Sequence, residues 1–263
     1  MKKSLFICLA ALMVLAVSCK KENSNDEPKQ KYGVDGVTPM PEAVDLGLSV
    51  KWASFNIGAS KEYEYGDYYA WGETTTKDNY DWASYKWCTG YNKLTKYCPK
   101  DQADKWDAEA KPDGPDGDVQ LFPSDDVAHV KLGGKWRMPT NEDFEKLLAL
   151  ETEAAKDNSD YTWEKWAYAT DADGNEVKDA NGNIVRGICI KRKSTGATLF
   201  LPATGYRDDT NLYRAGSYGY YCSSSLDSNG PNGTWGVTFN SDDVTRGSYY
   251  RYYGLSVRPV CVE

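Results

Sequence analysis

From Ala43 onward the chain is written in short runs rich in Val, Ile, Tyr and Trp, broken by clusters of Gly, Asn and Asp. This punctuation constrains the fold more than any other feature. Strands favour β-branched and aromatic residues, while tight turns need residues that tolerate positive φ. Strands are expected at residues 48–56, 66–71, 184–191, 198–206, 234–240 and 255–262. One helix is signalled: Thr140 is an N-cap, Asp143 is its capping-box partner, and apolar positions recur at Phe144, Leu147, Leu148 and Ala154 or Ala155. Residues 101–125 read as a long loop that elaborates the core. A near-repeat, residues 171–177 returning as 179–185, offers either a calcium loop or hairpin turns. An EF-hand loop needs Gly at its sixth position and Glu at its twelfth, and counting from Asp171 those places hold Glu176 and Gly182. Asp173-Gly174 and Asn181-Gly182 at tight hairpin turns is the favoured reading.

The N-terminus carries an export signal. Lys2 and Lys3 precede an apolar run, residues 5–17, too short to span a bilayer as a helix. The run ends in Leu15-Ala16-Val17-Ser18-Cys19 and the chain turns polar at once, which resembles the lipobox of bacterial lipoproteins. Ala16-Val17-Ser18 also suits an ordinary signal peptidase cutting before Cys19. The expectation is a leader over 1–18, a lipid on Cys19, a flexible tether over 19–41 and one domain over 42–263. The protein would then sit in the cell envelope, at the outer membrane, touching lipid only through its anchor. Loss of Lys2 and Lys3 with the leader leaves 29 basic against 39 acidic side chains, a net charge of −10. That balance offers no electrostatic footprint for nucleic acid.

Cys88, Cys98, Cys189, Cys222 and Cys261 form an odd set in a compartment that permits disulfides. Cys88 and Cys98 flank a polar, aromatic stretch that a bridge between them would close. Metal binding is the weaker reading, because neither has a second ligand two to four residues away.

Three stretches carry a family resemblance: residues 42–53 with Tyr65-Gly66-Asp67-Tyr68-Tyr69-Ala70-Trp71-Gly72-Glu73; residues 125–140, containing Gly133-Gly134-Lys135-Trp136-Arg137-Met138-Pro139-Thr140; and residues 200–207 with 216–221 and 253–260. Together they resemble the Fibrobacter succinogenes major paralogous domain, abundant in exported lipoproteins of gut Bacteroidetes. That family is similar in turn to the C-type-lectin-like fold of formylglycine-generating enzymes. The resemblance implies an α+β architecture of twisted antiparallel sheets with few short helices and long loops, in which residues 49–54 pair with residues 256–262. Family members usually carry Trp where Cys222 stands, and a buried thiol is expected there.

Catalytic groups are sparse. His129 is the only histidine and lies inside a family motif, so a structural role is expected; no nucleophile elbow, phosphate loop or His-Glu-x-x-His occurs. The oxidase chemistry implied by the formylglycine-generating relatives needs a close cysteine pair holding copper, whereas Cys222 and Cys261 stand 39 residues apart. A glycosidase built on two carboxylates stays open, since sequence does not give their separation. The sugar-binding triplets of calcium-dependent lectins are absent, so neither a metal nor another cofactor is expected.

The positive signal is for binding. Residues 206–253 hold nine of the 20 Tyr, with Trp235 and several Arg, spaced by Asn, Ser, Asp and Gly. Binding surfaces favour that mix, because Tyr and Trp give large contact area at low entropic cost. Arg207, Asp209, Asn211, Tyr213, Trp235, Asp242, Arg246, Tyr249, Tyr250 and Tyr252 are expected to converge on one exposed surface that takes a glycan or a surface protein. Tyr206, Tyr218 and Tyr220 are expected as core and cross-strand pairs. The alternatives are a subunit of a surface appendage or envelope assembly, and a receptor diversified by a retroelement, whose variable segments this region resembles.

Overall fold

The structure is a computed structural model and describes residues 31–89, 93–99, 102, 119–227 and 229–262. The expected leader, Cys19 and tether residues 19–30 lie outside the described residues, as does most of the 101–125 loop.

The architecture is α+β: mostly antiparallel sheets with two short helices among the described residues. A four-stranded sheet sets β2 (Lys51–Ala53) between β1 (Ala43–Val44) and β14 (Val260–Cys261), with β4 (Trp136–Arg137) beyond β14. Val260 lies opposite Trp52, so the ends of the domain pair as expected. A five-stranded sheet runs β12 (Val244–Tyr250), β11 (Gly233–Phe239), β10 (Gly219–Leu226), β13 (Leu255–Ser256) and β3 (Tyr68–Tyr69). A third sheet holds β5 (Tyr161–Tyr168), β6 (Arg186–Arg192) and β7 (Thr198–Pro202), and β8 (Tyr206–Asp208) pairs with β9 (Asn211–Tyr213) as a short hairpin.

Helix α2 (Asn141–Ala154) closes the main core by laying Phe144, Leu147 and Leu150 against Trp52, Ile190, Leu201 and Phe239. Its start is fixed by the expected capping box: the Thr140 hydroxyl accepts from the Asp143 N–H, and the Asp143 carboxylate accepts from the Thr140 N–H. Burial opposes ionisation of Asp143, but hydrogen bonds from Arg137 and Thr140 outweigh it and hold the carboxyl below its usual range. Thr140→Ala is expected to cost about 1 kcal/mol in chemical denaturation, the ordinary value of an N-cap. Helix α1 (Val127–Leu132), which the sequence reading did not anticipate, is too short to show periodicity. Its signals were the cap Asp126, which accepts from the His129 N–H, and Gly133, which ends it at φ 73°. His129 Nδ1 sits 3.2 Å from the Trp136 carbonyl oxygen, a fold-bracing contact in keeping with the expected structural role.

Two expectations need correction. Residues 31–41 are not tether: Tyr32 bridges Pro39, the Gly33 N–H donates to the Thr38 carbonyl at 2.8 Å, and Asp35 donates to Lys131 O. Gly33 lies so close to α1 that a Cβ would stand 2.1 Å from that Lys131 carbonyl oxygen. Backbone contacts dock this segment, so its polar composition hid the packing. Second, no disulfide joins Cys88 to Cys98; the intervening loop is closed by a backbone bridge from Cys88 to Leu94, whose side chain is buried. The repeat at 171–185 forms turns as expected. Asp171 and Asp179 each accept two backbone N–H groups, and Gly174 and Gly182 take φ of 82° and 83°.

Candidate functional site: a tyrosine platform beside a polar cleft

Stacked rings need a floor that lets them lie flat. On the face of β11 and β12 that carries Tyr249, packed toward Cys222 and Leu226, Gly236 and Gly247 supply it: the Tyr249 ring lies across both, and a Cβ on Gly236 would come 2.5 Å from the Tyr221 carbonyl. From Tyr249 the rings continue edge-on to Tyr220 at 5.6 Å, then to Tyr206 at 4.9 Å and Tyr253 at 5.1 Å. Tyr206 also stacks on Tyr213 at 5.6 Å, across the β8–β9 hairpin. Tyr253 meets Tyr250 and Tyr252 at 5.5 and 4.8 Å, and Tyr252 meets Trp82 at 4.9 Å. These spacings are those of favourable aromatic pairs.

The platform is open to solvent at Tyr213 and Tyr250, which keep 42% and 45% of their surface exposed. A cavity of about 350 Å³ lies between Asn232, Ser248, Tyr249, Tyr250 and Tyr253. Burial pushes the Tyr206, Tyr249, Tyr252 and Tyr253 phenols above their ordinary range. Asp208, half-buried at its edge, is pushed up by burial and then by Asp209.

Four of the ten expected site residues, Tyr213, Tyr249, Tyr250 and Tyr252, belong to this platform. Three more stand on the hairpin beside it. Asp209 is the exposed turn residue at φ 50°, trading backbone hydrogen bonds with Tyr80, and Asn211 is exposed. Arg207 turns to the other side of β8, over the Tyr68 ring. The remaining three do not converge there. Arg246 lies on the opposite face of β12 from Tyr249 and binds Asn141 and Glu145 of α2. Trp235 shares the face of Val237, and Asp242 sits in the β11–β12 turn. Arg246 stands three positions from Tyr249 on β12, and strand alternation sets those two on opposite faces.

Sequence reasoning missed Trp82, Asp208 and Tyr253; Tyr206 and Tyr220, expected as core and cross-strand pairs, are half-buried against the core around Cys222 and Leu226, with Tyr206 paired across the hairpin to Tyr213, and their rings also continue the platform. The core tyrosine is Tyr221, fully buried, with its hydroxyl donating to the Pro202 carbonyl at 2.8 Å. Arg251 also turns inward. It is fully buried, donating to the Tyr85 hydroxyl and to the carbonyls of Lys96, Tyr97 and Pro231. Arg258 is equally buried and bonds Asn56, Ala53 and Phe200. Cys222 is buried as expected, and burial pushes its thiol up to about 12.

No protein-family model, no curated protein and no solved structure matches this chain.

Proposed function

We propose that this protein is an exported lipoprotein of the cell envelope whose C-type-lectin-like domain binds a glycan, without catalysis. The observation that carries the reading is the contiguous run of rings from Tyr213 through Tyr206 and Tyr253 to Tyr250 and Tyr252, in which Tyr206 and Tyr213 stack and Tyr253 meets Tyr250 and Tyr252 edge-on, with Asn232 lining the cavity beside it. Sugar rings present apolar C–H faces that lie on aromatic rings, and their hydroxyls take up phenols, amides and carboxylates. A protein partner would meet the same rings through its own apolar side chains; the polar rim of Asp208, Asn232 and Ser248 favours sugar.

A glycan array probed with the full-length chain tests the reading. The expected result is selective binding that Tyr213→Ala and Tyr250→Ala weaken without unfolding the protein. Arrays with no hit, or hits those variants leave untouched, would remove it.

The anchor is a separate proposal, supported by the Leu15–Cys19 pattern and the polar turn after it. No helix of the described residues is long and apolar enough to cross a membrane. Metabolic labelling with a palmitate analogue should mark the wild type, while Cys19→Ala should lose the label and leave the membrane fraction. An unlabelled wild type would contradict the anchor.

A further inference from the structure

Arg207 differs from the two deep arginines in one respect. Arg251 and Arg258 satisfy their guanidinium donors with carbonyls and side-chain oxygens, whereas among the described residues Arg207 has neither a carboxylate nor a hydrogen-bond partner for its guanidinium. Yet it is half-buried and held in place. Backbone hydrogen bonds to Gly254 pin its strand in both directions, and its guanidinium rests 5.3 Å from the centre of the Tyr68 ring. It faces a cleft of about 520 Å³, within the range of about 300–1,000 Å³ usual for ligand sites. An oriented guanidinium fork left open in such a cleft is built for a planar anion, with carboxylate the best geometric match.

The other charged groups narrow the class of anion. Lys77 also lines the cleft, but Glu73 holds its ammonium at 2.9 Å and the Ser84 carbonyl at 3.1 Å. Asp67 and Asp78 add two carboxylates to the wall. A polysulfated chain would meet those carboxylates as well as Arg207, and would approach a protein that is acidic overall. One carboxylate on an otherwise polyhydroxylated ring fits: Arg207 takes the acid, Asp67, Asp78, Thr76 and Thr210 face the hydroxyls, and Tyr68 and Tyr80 offer apolar surface. Tyr206 and Arg207 are consecutive on β8, so the platform and the cleft lie on its two sides.

We infer that the Arg207 cleft is a subsite for the carboxylate of a uronic acid, which makes the ligand class an acidic, uronate-containing oligosaccharide. This rests on the glycan-binding reading above.

The test is calorimetric titration of the full-length chain with a trisaccharide that carries a single glucuronate and with its neutral methyl ester. The wild type should bind the acid at least about tenfold more tightly than the ester, the value of a charge-assisted contact. Arg207→Gln should erase that preference, and Arg207→Lys, which keeps the charge but loses the fork, should restore only part of it. Thermal unfolding of each variant checks that the fold is intact. A wild type that binds neither probe, or prefers neither, overturns the inference, as does an acid preference unchanged in Arg207→Gln. Tyr250→Ala, run in parallel, separates the two readings. If it weakens both probes while Arg207→Gln leaves their ratio alone, the platform stands and the cleft assignment falls. If it changes nothing while Arg207→Gln removes the preference, the cleft stands and the platform falls.

Discussion

Arg251→Ala is expected to cost at least about 3 kcal/mol of stability, a large share of the roughly 5–15 kcal/mol that holds a domain together. The guanidinium is fully buried and, among the described residues, no carboxylate accompanies it; the Tyr85 hydroxyl and the carbonyls of Lys96, Tyr97 and Pro231 take its donors. The Trp71 and Tyr85 rings stand 4.7 and 5.3 Å from it and add the attraction of a cation for an aromatic face. Truncation leaves several buried acceptors unpaired, at about 1–3 kcal/mol each, and opens a void among three loops. Arg251→Lys should recover little, because a point charge on a narrow stem cannot reach four acceptors in a planar fork. Equilibrium denaturation in urea checks this: the midpoint should fall sharply with an unchanged slope. A loss below about 1 kcal/mol would mean that the loops hold without the arginine.

That arginine also marks where the sequence stops being legible. The Thr140–Asp143 box, the Gly174 and Gly182 turns and the pairing of residues 49–54 with 256–262 could be read because each is a local rule or lies in a motif carried by a resemblance. Arg251 reads as a binding-surface residue among tyrosines, since arginine is usually exposed. Its burial follows from loops at Lys96–Tyr97 and Pro231 that meet only in the folded chain. Trp82 was invisible as a site residue for the same reason: it contacts Tyr252 across 170 positions of sequence. The tyrosine-rich composition foretold an aromatic surface, but not which rings would line it. Tyr221 and Tyr220, neighbours in sequence, part to the core and the platform through strand alternation alone.

Tyr250→Ala is the second large effect, and it should fall on affinity. Tyr250 keeps 45% of its surface exposed, so removing its ring should change stability little. Its place is central to the outer end of the platform: it stacks on Tyr252 at 5.5 Å with an interplanar angle of 14°, meets Tyr253 edge-on at 5.5 Å and faces Trp82 at 6.1 Å. An aromatic anchor truncated at the middle of a contact typically costs about 2 kcal/mol or more, roughly thirtyfold in affinity. Tyr221→Ala supplies the opposite behaviour, since its buried ring and satisfied hydroxyl should cost about 3–5 kcal/mol of stability. Titration of the best array ligand, paired with urea denaturation of both variants, measures the split. Loss of stability in Tyr250→Ala with unchanged affinity would make the platform a packing feature.

The most direct measurement of the central claim is an NMR titration of the chain carrying ¹³C-labelled tyrosine rings with that ligand. The tyrosine platform predicts saturable shifts at Tyr213, Tyr250, Tyr252 and Tyr253, while the buried rings of Tyr97 and Tyr221 stay in place. Shifts confined to tyrosines away from the platform, such as Tyr161 and Tyr168, would contradict it.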